Sequence, residues 1–141
     1  LSGRDDPPER ADGEGGPPDR PETSYAAMAS PAGLKTVASY ADGIGPNKAM
    51  VIPRGALGSL AEPTSLVRDA HAEGLKVHPW TFRRENYFLP LGNKGGVNPA
   101  GHGDLGAEIA AYLATGIDGL FSDNPREAVV TLAGKIDRSR R

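Results

Sequence analysis

The sequence predicts an α/β protein built from βα units with parallel strands, and three observations carry that reading. Helical patterns alternate with short apolar runs from Tyr25 onward, the order expected of a parallel sheet wrapped by crossover helices. Two of the helical patterns stop at a glycine, Gly74 and Gly116, with a buried-type run directly after each; glycine supplies the left-handed turn that ends a helix. Finally, Tyr40-Ala41-Asp42-Gly43-Ile44 and Gly116-Ile117-Asp118-Gly119-Leu120 share a local signature, the weak self-similarity of a fold made from repeated units. A small doubly wound sheet and part of a (β/α)8 barrel both satisfy this pattern, although 141 residues are too few for a full barrel of ~250.

Taken in order, the elements begin with a segment of a different kind. From Leu1 to Ser24, 19 of 24 positions are Gly, Pro, Asp, Glu or Arg, and the apolar residues are Leu1 and Ala11. That is too little apolar surface to offset the entropy of ordering, so residues 1–23 are expected to be a disordered tail or loop, and residues 24–141 the folded part. Ser30 followed by Pro31 is a helix cap with proline at the first helical position. Leu34, Val37 and Ala38 then recur on one face, predicting a helix over 31–39. Residues 40–44 read as a brief strand entering a loop at Gly45-Pro46, and Met50-Val51-Ile52 as a second extended piece. Thr64 or Ser65 caps a helix with Leu66, Val67 and Ala70 on its inner face, stopped by Gly74. Strand 76–82 follows, carrying the single tryptophan, Trp80.

The unit then repeats. Residues 83–103 form a connection rich in Gly, Asn and Pro, and loops of that length in a compact domain are functional or mobile. Asp104 opens a helix with Leu105, Ile109, Tyr112 and Leu113 on one side, Gly116 stops it, and 117–121 forms another buried-type strand. Asn124 caps the last helix, with Pro125 at its first position, Glu127 as capping-box partner, and Ala128, Val129, Leu132 and Ile136 facing inward. Lys135, Arg138, Arg140 and Arg141 suit its C-terminus.

Composition excludes several functions. The 16 Lys and Arg against 18 Asp and Glu leave a net charge of −2, so no overall field draws the chain to nucleic acid or an anionic membrane. Absence of cysteine removes disulfides, thiolate metal sites and cysteine nucleophiles. No apolar run approaches the ~20 residues of a membrane span, and neither a basic start nor an apolar signal core is present near Leu1. A start on Leu1 reads as a processed or truncated product.

Several blocks occur together in a specific order: Ser30-Pro31-Ala32-Gly33-Leu34-Lys35, Tyr40-Ala41-Asp42-Gly43-Ile44-Gly45-Pro46, Thr64-Ser65-Leu66-Val67, Asp69-Ala70-His71, Val77-His78-Pro79-Trp80-Thr81-Phe82-Arg83 and Asp118-Gly119-Leu120-Phe121-Ser122-Asp123-Asn124-Pro125. As an ordered set the chain resembles the C-terminal half of a glycerophosphodiester phosphodiesterase, of the periplasmic or secreted type. The resemblance implies about three βα units of a (β/α)8 TIM barrel hydrolysing glycerophosphodiesters, such as glycerophosphocholine, to glycerol 3-phosphate and an alcohol. It further implies a His pair as general acid and base, carboxylates holding Ca2+ or Mg2+, and attack on phosphorus by the glycerol 2-hydroxyl. A metal neutralises phosphoryl charge while imidazoles move protons near neutral pH. The family's His-Arg-Gly, Glu-x-Asp and His-Asp motifs and its later metal-binding Glu belong to the N-terminal half, so no catalytic or metal-binding residue is assigned within this chain. The missing half is then its expected partner.

The residues that remain are weighed by strand direction. In strand 76–82, His78, Trp80 and Phe82 share one face; with that face inside the barrel, His78 fills a core layer or meets substrate, and Trp80 lies nearer the mouth. Phe121 and Trp80 are candidates for an apolar wall against glycerol or the departing alcohol. Asp123 ends its strand on the face where barrels do chemistry, with capping of the last helix as its competing role. The candidate substrate-binding residues are therefore Trp80, Phe121, Asp123 and His78. Lys48 and Arg83 follow strand ends, either to meet phosphate or as solvated charges. Asp42 and Asp118 precede glycine at strand starts, and His71 sits on an outer helix, all structural readings; His102 is a loop histidine with no partner at metal-ligand spacing. A non-catalytic half-barrel that binds a phosphodiester or completes another chain's barrel is the alternative, because open sheet edges are a liability unless they pair.

Overall fold

The computed structural model describes residues 24–139, and the expected tail over 1–23 lies outside them, as do Arg140 and Arg141 and the side chains of Lys135, Ile136 and Arg138. Five helices and two short strands follow in the order α1 (Tyr25–Met28), α2 (Pro31–Ala38), β1 (Gly43–Ile44), α3 (Leu66–Ala72), β2 (Lys76–Val77), α4 (Leu105–Leu113) and α5 (Pro125–Ser139). Local chemistry sets most boundaries. Ser30 Oγ accepts the Gly33 N–H at the head of α2, Asp104 accepts the Ala107 N–H at the head of α4, and Gly74 leaves α3 at φ 75°, a conformation that an L side chain resists. Tyr25–Met28 is one further helical turn, capped by Ser24.

β1 and β2 pair in parallel with Gly43 opposite Lys76 and Ile44 opposite Val77. The pairing continues past the formal strands: His78 N–H donates to Ile44 O, Trp80 N–H to Pro46 O, and Lys48 N–H to Trp80 O. On the other side of β2 lie residues 117–123, where Asp118 N–H donates to Val77 O, Phe121 N–H to Pro79 O, Phe82 N–H to Phe121 O and Asp123 N–H to Phe82 O. The expected strand 117–121 is thus an extended segment with a single bridge, Phe82 to Ser122. Two causes thin its ladder: Pro79 has no N–H to donate, and the Val77 N–H goes to the Asp118 side chain at 2.9 Å instead of a main-chain carbonyl.

A second departure concerns side-chain alternation. Trp80 bonds toward β1, whereas Phe82 bonds toward 121–123, so the register slips by one residue at Thr81. Phe82 therefore does not share the face of His78 and Trp80, as strict alternation predicts; it is buried with Val77 and Pro79 and meets Tyr112 edge to face at 4.9 Å. The helices cover this face. Its core joins Leu34 and Val37 of α2, Leu66, Val67 and Ala70 of α3, and Leu105, Ile109, Tyr112 and Leu113 of α4 around Val77 and Phe82.

Residues 50–52 are not extended. Asn47 Oδ1 accepts the Ala49 N–H and Lys48–Met50 makes a 3-10 turn, leaving Val51 and Ile52 buried at its end. In α5, Ala128 is buried and Leu132 partly so, but Val129 is exposed, because one residue along a helix turns by about 100° away from α4. Asn124 Oδ1 accepts the Arg84 N–H, and Glu127 pairs with the Arg84 guanidinium at 3.1 Å; both side chains that the sequence assigns to a cap are spent on the preceding loop.

Candidate functional site

The face of the sheet opposite the helices is open. Lys76, His78 and Phe121, beside Gly43 and Gly45, line a shallow cavity of about 320 Å3 there, and exposed Trp80 lies further along the strand, outside that lining. Trp80 is held in place by its indole N–H, which donates to Gly45 O at 2.9 Å. His78 meets the Phe121 ring edge-on at 6.3 Å. The glycine at 119 leaves room for the imidazole, since a Cβ there would fall 3.1 Å from the His78 ring. Phe121 and Trp80 remain 56% and 40% exposed.

The strand ends carry charge. Arg83 Nε donates to Asp123 Oδ2 at 2.6 Å, and the Arg83 guanidinium stacks on Phe88 at 4.6 Å. Asp123 therefore holds an arginine and does not cap α5, where Asn124 precedes the first helical residue. Beneath them, Ser122 Oγ donates to Phe82 O and accepts the Asn124 N–H.

Lys48 is neither solvated nor turned to the open face. Its ammonium lies 2.8 Å from Glu108 Oε1 and 5.1 Å above the Phe82 ring. Glu108 Oε2 accepts from Arg54 Nη2, also at 2.8 Å, and Glu108 is 0% exposed. Burial pulls the Lys48 ammonium below its ordinary value against the Glu108 carboxylate that holds it up, and Arg54 and Arg83 add to the fall. Tyr112 completes the cluster by donating to Lys48 O and Ile52 O; burial, then the Glu108 charge, push its phenol well above the usual range.

Sequence reasoning overlooked Glu108, Arg54 and Tyr112 as a unit, yet a signal exists. Leu105, Glu108, Ile109 and Tyr112 fall on one helix face at the i, i+3, i+4, i+7 spacing, and a carboxylate on an apolar stripe demands buried partners.

At the opposite ends of the strands, His71 Nε2 lies 2.7 Å from Asp118 Oδ2. Burial raises the Asp118 carboxyl, but the hydrogen bonds from His71 and the Val77 N–H, with the charges of His71 and His78, outweigh it and leave Asp118 below its ordinary value. His102 lies exposed where the chain bridges back to Glu85. The three histidines thus occupy different regions, with His78 on the open face.

The 83–103 connection is built, not loose. Asn86 is buried; its Nδ2 donates to Gly95 O and Asn98 O, and its Oδ1 accepts the Gly95 N–H. A Cβ at Gly103 would fall 2.6 Å from Leu89 Cδ1 and 2.8 Å from Asn86 Oδ1.

A divalent cation needs several oxygen or nitrogen ligands converging on one point. Among the described residues no group of three or more His, Asp or Glu is placed to hold one, and Glu108, Asp118, Asp123 and Glu127 already face cations or a histidine. The residues present do not fit a metal site, and no step through a metal is derived from them.

Parallel strands with helices on one face, and Trp80, His78 and Phe121 on the other, define an α/β protein with an open sheet face. The chain belongs to the glycerophosphoryl diester phosphodiesterase family, whose model matches residues 4–127. It is similar to glycerophosphodiester phosphodiesterase GDPD6 of Arabidopsis thaliana, 39% identical over 101 residues, which are 71% of this chain and 25% of that protein. The match thus spans about a quarter of that relative's length. No helix among the described residues is long and apolar enough to cross a membrane.

Proposed function

We propose that this chain is the C-terminal portion of a (β/α)8 barrel that hydrolyses glycerophosphodiesters to glycerol 3-phosphate and an alcohol. In that barrel the open face is the interior: Trp80 and Phe121 wall the pocket against glycerol or the departing alcohol, His78 backs Phe121, and Asp123 positions Arg83 at the rim. The observation that carries this reading is the surface of exposed Trp80 and Phe121 with half-buried His78, on the sheet face that no helix among the described residues covers. The proton-transferring His pair and the ligands for Ca2+ or Mg2+ then come from outside this chain, because acid–base catalysis needs two groups converging on the phosphodiester and His78 stands without a second histidine on this face. The periplasmic or secreted setting belongs to the same proposal.

In the full-length protein, Trp80→Ala is expected to raise KM for glycerophosphocholine about tenfold, since it removes a wall worth roughly 1–2 kcal/mol of apolar contact, while kcat falls less. An unchanged KM overturns the wall. Turnover by residues 1–141 alone, with Ca2+ or Mg2+ supplied, overturns the assignment of the catalytic groups to another segment.

The free edge of β1, which among the described residues pairs with β2 alone, favours a second reading. In it the same portion completes its barrel with a separate chain, binding a phosphodiester without catalysing its cleavage. Size-exclusion chromatography that gives only a folded monomer counts against it.

A further inference from the structure

We infer that Glu108 and Tyr112 of α4, acting through Lys48, are positioning residues that set where Trp80 stands on the open face. The inference rests on the reading of Trp80 as a pocket wall. It gives the buried charge cluster on the covered side of the sheet a role in substrate binding on the other side.

Trp80 is bonded to one short stretch of chain. Its N–H donates to Pro46 O at 3.1 Å, its carbonyl accepts the Lys48 N–H at 2.8 Å, and its indole N–H donates to Gly45 O at 2.9 Å. The backbone of Trp80 and the polar atom of its ring therefore follow residues 45–48. That stretch has little stiffness of its own, because Gly45 leaves the backbone flexible and Pro46 has no N–H to bond a neighbouring strand.

What fixes the stretch comes from α4. The Lys48 ammonium meets Glu108 Oε1 at 2.8 Å, and the Lys48 carbonyl accepts from the Tyr112 hydroxyl at 2.9 Å, so the helix holds this one residue by side chain and main chain together. The base is firm: Leu105, Glu108, Ile109 and Tyr112 are buried, Arg54 ties Glu108 a second time at 2.8 Å, and the Tyr112 hydroxyl also reaches Ile52 O at 3.2 Å. Loss of either hold on Lys48 is passed directly to Trp80, since the Lys48 N–H sits on the Trp80 carbonyl. A buried ion pair adds little stability over an apolar set of the same volume, and its best-attested use is to fix one register of the chain. Here the register it fixes is that of the stretch carrying Trp80.

The test uses the full-length protein labelled with 5-fluorotryptophan, in which the fluorine resonance of Trp80 is the one that Trp80→Phe removes. Tyr112→Phe and Lys48→Met should each shift or broaden that resonance. Asn86→Ala, which weakens the fold through a side chain bonded to Gly95 and Asn98 and not to residues 45–48, should leave it in place. Tyr112→Phe and Lys48→Met should each raise KM for glycerophosphocholine about threefold with kcat within about twofold of wild type, and neither should raise KM further in a Trp80→Ala background. Tyr112→Phe keeps the ring that packs on Phe82 and gives the answer by itself if Lys48→Met does not fold. An unmoved Trp80 resonance in Tyr112→Phe, an equal shift in Asn86→Ala, or KM effects that add to that of Trp80→Ala overturn the inference. If Trp80→Ala leaves KM unchanged, it is the wall reading that fails, and the resonance alone then decides whether α4 positions Trp80.

Discussion

Replacing Glu108 with Gln keeps the shape of the side chain and removes the charge that two cations share. Glu108 is fully buried, with Lys48 and Arg54 each 2.8 Å from one of its oxygens. Breaking a buried ion pair from one side leaves an uncompensated charge and costs about 3–5 kcal/mol, a large share of the ~5–15 kcal/mol that holds a domain folded. For a domain of this size that is a fall in Tm of roughly 12–20 °C. The sign with pH follows from Lys48. Its folded-state pKa lies below the ordinary 10.5, so the unfolded chain holds more protons between the two values and stability rises with pH through that window. The Glu108 carboxylate raises the Lys48 pKa; without it the value drops further and the window opens toward neutral pH. Urea denaturation of wild type and Glu108→Gln at pH 7 and pH 10 should therefore give a large difference at pH 7 that shrinks at pH 10. The triple replacement Glu108→Leu, Lys48→Met and Arg54→Met should recover much of the loss, since no buried charge is left unpaired. A difference below about 1 kcal/mol at pH 7, in the range of an exposed pair, or one that does not shrink at pH 10, would refute this account.

Asn86→Ala leaves Gly95 N–H, Gly95 O and Asn98 O without their partner, which should cost about 2–3 kcal/mol and appear first as faster limited proteolysis near residues 93–100. Asp118→Asn should flatten the acid limb of stability. The folded-state pKa of Asp118 is below its ordinary 3.8, so its contribution is present above that value and lost as pH falls through the lower one. Acid titration followed by circular dichroism checks this, and equally steep acid limbs in wild type and variant would place the titration elsewhere.

Much of the fold is legible along the chain because it is local. Ser30-Pro31, Asp104, Gly74 and Gly116 act on their immediate neighbours, and the boundaries of α2 and α4 and the end of α3 follow from caps and stops that need no tertiary partner; the start of α3 does not, because Ser65 at its N-cap gives its hydroxyl to Asp69 and makes no capping bond. The strands are less legible. Strict alternation places Phe82 beside Trp80, but the slip at Thr81 arises from which neighbouring segment accepts each hydrogen bond, and no local pattern encodes that choice. The candidate site divides the same way. Trp80 and Phe121 stand on the open face, where strand direction puts them, whereas the Arg83–Asp123 pair joins residues forty positions apart. The Glu108 network is an intermediate case, since its stripe position signals burial without naming the partners.

What the sequence by itself determined is the α/β order, the helix ends, the aromatic residues near the strand ends and the family, all carried by short motifs whose physics is local. Tertiary structure alone decided that Lys48 faces Glu108 and Arg54 instead of solvent, that Asp123 holds Arg83, and that Val129 and Leu57 are exposed. The physical reason is common to these cases: a long charged or apolar side chain has many low-energy directions, and only the neighbours brought by distant segments make one of them lowest.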